Sequence, residues 1–104
     1  MKRNHWVPNT DVFVTQDGLV VKVELAGINQ EDIELVLDDS RLIVRGERRD
    51  PNRCTSSKFI VAEIQDGAFE CVIDLPPGFD LSSAKAKYNN GFLRIEVPDA
   101  PTGT

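Results

Sequence analysis

Few side chains in this 104-residue sequence could do chemistry. His5 is the one histidine and Cys54 and Cys71 are the two cysteines. A nucleophilic mechanism needs a Ser or Cys held beside a base, and the single imidazole sits near the N-terminus, where chains are least ordered. His5, Cys54 and Cys71 lack the Cys-x-x-Cys spacing from which tetrahedral sites are built, so neither a metal nor a cofactor is expected. Glu34, Asp38, Glu63 and Glu96 fall on the polar side of alternating segments or beside a loop, where carboxylates are solvated. No GxGxxG, GxxxxGK or GxSxG occurs, which leaves no phosphate cradle and no nucleophile elbow. An enzyme is not expected.

The elements that would position any site are those of one small domain, and 40% hydrophobic residues suffice for a modest core. Twelve basic against seventeen acidic residues give a net charge of −5, the wrong sign for tracking phosphates, so no nucleic acid is expected as a partner. No stretch approaches the roughly 18 apolar residues of a membrane span, and no apolar leader follows Lys2 and Arg3. The expectation is a soluble, cytoplasmic protein with no membrane partner. Its cysteines are expected as thiols, Cys71 packing as a small hydrophobe within an apolar alternation.

Period-two alternation with turn residues between the runs predicts eight short strands. They are Asp11–Thr15, Leu19–Leu25, Ile33–Leu37, Arg41–Glu47, Phe59–Ile64, Phe69–Leu75, Ala84–Tyr88 and Leu93–Val97. One helical turn at most fits Asn29–Asp32. Between Tyr88 and Leu93 stand Asn90 and Gly91, whose tolerance of positive φ suits a tight hairpin. The pattern predicts an all-β antiparallel sandwich.

One segment departs from the pattern. From Glu47 to Lys58 no apolar periodicity survives, which makes a polar excursion unusually long for a small domain. It leads into Phe59–Ile64, apolar on both faces. Such a strand either lies in the middle of its own sandwich or is carried out on its loop to pair with another chain.

The run DLSSAKAKYNNGFLRIEVP resembles the C-terminal signature of the α-crystallin domain of small heat-shock proteins, through Ala84, Ala86, Asn90, Gly91, Phe92, Leu93 and Pro98. VELAGINQEDIELVLDDSRLIVRGERR is similar to that family's pattern of apolar strand, loop, Glu-Asp-Ile, strand, turn and Leu-x-Val-x-Gly-Glu-Arg, with Ala26 in place of the usual Pro. GAFECVIDLP resembles its Gly-x-Phe strand, with Cys71 where relatives tend to have Arg. The resemblance divides the chain into a short N-terminal arm (1–7), an α-crystallin domain (8–98) and a short tail (99–104).

Several expectations follow from the resemblance alone. The fold is an immunoglobulin-like sandwich whose long loop carries a swapped strand of the bacterial and plant type. Phe59, Val61 and Ile64 would meet the partner's first strand, at Asp11 and Phe13, in a homodimer. A groove for client or peptide would lie between Ile33, Leu35 and Leu37 on one strand and Ala84 and Ala86 on another. The activity would be that of an ATP-independent holdase for unfolding client proteins. Ile95-Glu-Val97 sits inside the last strand and the tail carries no Ile-x-Ile motif, so large shells are not expected. The competing expectation is a monomeric, co-chaperone-like sandwich that docks on a folded partner.

Overall fold

The computed structural model describes residues 5–53 and 56–101. Among the described residues seven strands form: β1 (Thr10–Thr15), β2 (Gly18–Glu24), β3 (Ile33–Asp38), β4 (Arg41–Arg48), β5 (Gly67–Asp74), β6 (Lys85–Asn89) and β7 (Phe92–Pro98). They make two antiparallel sheets, β1-β2-β7-β6 and β3-β4-β5, packed as a sandwich. Single 3-10 turns at Gln30–Asp32 and Leu81–Ser83 lead into β3 and toward β6. No helix among the described residues is long and apolar enough to cross a membrane.

Turn chemistry sets the registers. Asn90 (φ 54°) and Gly91 (φ 82°) join Asn89 to Phe92 through two left-handed residues, the arrangement whose twist matches that of paired strands. Alternation then points Leu19, Val21 and Val23 of β2 and Leu93, Ile95 and Val97 of β7 toward Leu42 and Val44 of β4 and Phe69 and Cys71 of β5. All of these are buried, and they form the core. Burying a Val, Leu, Ile or Phe side chain stabilises by roughly 1.5–3 kcal/mol, so this two-sided set is the main driving force of the fold.

A four-stranded sheet over a three-stranded one leaves overhangs. Val12, Val21, Ile95 and Ala86 stand in one cross-strand row on the inner face. The middle two are fully buried, while Val12 on β1 and Ala86 on β6 are exposed. Both edges of the larger sheet therefore present inward-facing apolar side chains to solvent.

Phe59–Ile64, expected as a strand, forms none and pairs with no strand among the described residues. Its place in the middle of its own sandwich is excluded, because its apolar side chains are exposed. The physical reason is that strand composition does not make a strand without a ladder partner, and none of the described strands pairs with this segment. Cys71 is a buried free thiol with its Sγ 3.3 Å from the Thr10 hydroxyl; Cys54 lies outside the described residues. Beyond Pro98 the chain is still held, since the Ala100 amide donates to the Gly78 carbonyl at 2.9 Å.

Candidate protein-binding edges

The Asn90-Gly91 hairpin is a positioning element. The Tyr88 hydroxyl donates to the Leu25 carbonyl at 2.6 Å, and the Leu25 amide donates to the Gly91 carbonyl at 2.7 Å. A Cβ at Gly91 would sit 3.2 Å from Ala26 Cα, so the hairpin and the loop after β2 are in close contact. Leu93 enters the core, and the Phe92 ring lies on the outer face 4.4 Å below the Lys22 ammonium. Together these contacts fix the loop that leads into β3.

That loop sets β3, an edge of one sheet, as β6 forms an edge of the other. Ile33 and Leu35 are half-buried and pack on the core, as does Ala84, which lies at the end of the Leu81–Ser83 turn, one residue before β6. Leu37 and Ala86 are exposed. The Asp80 carboxylate accepts hydrogen bonds from the Ser82 and Ser83 hydroxyls at 2.6 and 2.7 Å, which shapes the turn and holds Asp80 below the usual carboxylate range. Of the five groove residues expected from sequence, the two free to touch another molecule most fully are thus Leu37 and Ala86.

The second apolar edge is β1. Asp11 and Phe13 lie on its outer face, opposite Lys22 and Val20. Val12 and Val14 lie on its inner face and are exposed, a feature of sheet width that alternation along one strand does not show. Ile60, Val61 and Ile64 are 97, 69 and 72% exposed, and Phe59 less so because its ring stacks under Arg53 at 4.7 Å.

Two arginines hold this loop. Arg53 ion-pairs with Asp50 (3.4 Å) and Asp66 (3.2 Å) and donates to the Ile64 carbonyl at 2.6 Å, tying the start of the loop to its end. Arg48 donates to the Gln65 carbonyl at 2.9 Å and to the Ala26 carbonyl at 3.2 Å, with its guanidinium 4.2 Å over the Trp6 ring. Trp6 in turn packs on Phe69, centroids 5.3 Å apart, and its backbone bonds the edge of β5 at Ala68 and Glu70. Sequence reasoning missed this relay from core to loop.

The outer faces are charged. Arg45 donates to Glu34 at 2.9 Å and lies 3.8 Å from Glu70; the hydrogen bond and charge of Glu34 make its guanidinium still more basic. Arg41 meets Asp74 at 3.0 Å and Arg94 meets Glu96 at 2.9 Å. His5 and Glu63 are exposed. A shallow cavity of about 370 Å³ on the outer face of the larger sheet is lined by Val20, Lys85, Arg94 and Glu96 among others. No residue pattern pointed to it.

A sequence model of the Hsp20/alpha crystallin family matches residues 11–104. Small heat shock protein C2 of Rickettsia felis is 31% identical over 97 residues, which cover 93% of this chain and 63% of that protein. Spore protein SP21 of Stigmatella aurantiaca is 32% identical over 92% of this chain and 57% of its own length. The chain thus spans about three-fifths of the length of these curated relatives. The crystal structure of the hspA from Xanthomonas axonopodis superposes with a TM-score of 0.86 at 30% identity, covering 96% of this chain and all of that one. A small heat-shock protein from Xylella fastidiosa, described as having a distinct high order structure, gives 0.87 at 29% identity, covering 97% of this chain and 93% of that one.

Proposed function

The chain belongs to the Hsp20/alpha crystallin family, and on that premise we propose that it is a cytoplasmic, ATP-independent holdase, a strand-swapped dimer that binds unfolding proteins and keeps them from aggregating. The reading assigns it no catalytic step and no cofactor. The observation that carries it is the exposure of Ile60, Val61 and Ile64 on a clamped loop, together with a β1 edge that also shows apolar side chains.

The two surfaces suit each other by parity. Ile60, Ala62 and Ile64 share one side of an extended segment, and Phe59, Val61 and Glu63 the other. Laid along the partner's β1, the first set continues the core over Val12 and Val14, and the second runs beside Phe13 and Asp11. Pairing of this kind removes an exposed edge in each copy, and two-fold symmetry applies it twice. The high order structure described for the Xylella relative shows self-association in that protein, in keeping with this proposal. Arg48 and Arg53 hold the loop that carries Phe59–Ile64 in a defined shape before it binds, which lowers the ordering cost of association.

Client binding is assigned to the edge between β3 and β6, with Ile33, Leu35 and Ala84 as its half-buried floor and Leu37 and Ala86 as its free side chains. Ala86→Glu tests this. Ala86 is exposed, so the fold tolerates the charge, whereas a client's apolar chain laid over it would bury an unpaired carboxylate. When a model client is heated with excess protein, the wild type is expected to delay light scattering. The variant should need about tenfold more protein for the same delay. Binding through burial should also weaken little with salt. If neither protein delays scattering and a folded chaperone binds in a salt-sensitive way, the adaptor function takes the place of the holdase.

A further inference from the structure

The three-stranded sheet has an edge that the dimer leaves open. Trp6 covers the first half of β5's outer edge, its amide donating to Ala68 and its carbonyl accepting from Glu70, both at 3.1 Å. Two residues on stands Pro8, which has no N–H to continue the ladder; its carbonyl accepts from the Thr10 hydroxyl as the chain crosses to β1. Backbone groups alternate along a strand, so those that follow Glu70 N–H on this edge are Glu70 C=O, Val72 N–H, Val72 C=O and Asp74 N–H. Among the described residues no strand pairs with them.

The side chains at this edge specify what would fit. Across the outer face the register sets Val36, Ile43 and Val72 in one row, and Val72, at the edge, is 50% exposed. An apolar side chain opposite Val72 would extend the row. The next row reads Asp38, Arg41, Asp74, alternating in sign and ending at the edge on a carboxylate that is itself exposed. The position opposite Asp74 therefore favours a cation, since opposite charges in direct cross-strand register attract. On the other side, beside Glu70, the outward position is taken by Val7, which follows Trp6.

We propose that this free half of β5 accepts an extended segment of another polypeptide as a fourth strand, selecting an apolar residue with Lys or Arg two positions away. It rests on the holdase reading, which supplies such segments, and adds to it a second, backbone-directed site with a charge preference. The occupant is an unfolded chain of basic and apolar character. A segment bearing Glu at that position would face Asp74 and be disfavoured.

The test uses the full-length protein and two labelled peptides of about nine residues, alike except for Lys or Glu two positions from a central Val. Fluorescence anisotropy is expected to show the Lys peptide binding about tenfold tighter. Asp74→Lys should invert that order. Val72→Pro should weaken both peptides, because Val72 N–H points away from β4 and its loss removes an edge donor without breaking the sheet's own ladder. Circular dichroism checks that Val72→Pro folds, and the inversion by Asp74→Lys stands independently of it. An order unaltered by Asp74→Lys overturns the proposal. So does binding that survives Val72→Pro but is lost in Ala86→Glu, which would put the peptide between β3 and β6. Failure of both peptides to bind while client aggregation is still suppressed overturns this site and spares the holdase.

Discussion

Val61→Lys together with Ile64→Lys is expected to convert the protein from dimer to monomer. The two positions lie on opposite sides of the extended segment, so whichever side faces the partner's core, one lysine is forced into it and the other loses its apolar neighbour. Burial of each side chain contributes at least about 1.5 kcal/mol, and two positions in two copies give about 6 kcal/mol, or roughly ten-thousand-fold in Kd. Both side chains are exposed in the single chain, so its own fold should be indifferent to the change. Light scattering at micromolar concentration should report twice the chain mass for the wild type and one chain mass for the variant, with unchanged circular dichroism. A variant that keeps the wild-type mass would mean that another surface holds the dimer.

Gly46→Ala should be strongly damaging for a single added methyl group. Gly46 stands on β4 between Ile33 and Phe69, and a Cβ there would collide with the Asp32 carbonyl oxygen and come 2.9 Å from Phe69 Cζ. The Phe69 ring is fully buried and cannot retreat without moving Trp6, which carries Arg48, which in turn ties down Gln65 at the root of the loop. Overpacking against backbone and a core ring is expected to cost about 3 kcal/mol. For a domain of this size that is roughly 12–24 °C in Tm, measured at one fixed protein concentration because association also raises Tm. A shift smaller than about 4 °C would show that the strand pair yields to the methyl group.

The glycine in Leu42-Ile-Val-Arg-Gly-Glu-Arg48 was visible as part of a pattern, but its reason was not. Its partners, Asp32 and Phe69, come from elsewhere in the chain, and only the folded register brings them together. The same division runs through the whole molecule. Strands and hairpins were legible because alternation and positive-φ residues such as Asn90 and Gly91 are local signals. The 3-10 turn at Gln30–Asp32 was legible too, whereas that at Leu81–Ser83, set by the bonds from Ser82 and Ser83 to Asp80, was not.

At the candidate site the balance is similar. Composition marked Phe59–Ile64 as apolar on both faces, yet its lack of a ladder in the single chain depends on which edges are within reach. The exposure of Val12 and Val14 comes from the difference in width between two sheets, which no window of sequence contains. Trp6, assigned to an arm, packs on a core ring 63 residues away along the chain because Arg48 and β5 together leave a slot for it.

The most direct measurement is of the complex itself. A client heated past its unfolding temperature with excess protein and no nucleotide is passed over a sizing column coupled to light scattering. The holdase account predicts that client and protein elute together as a soluble species heavier than either, and that added ATP changes nothing. A client that pellets while this protein elutes alone at its dimer mass, or one that is retained only when ATP is present, would contradict it.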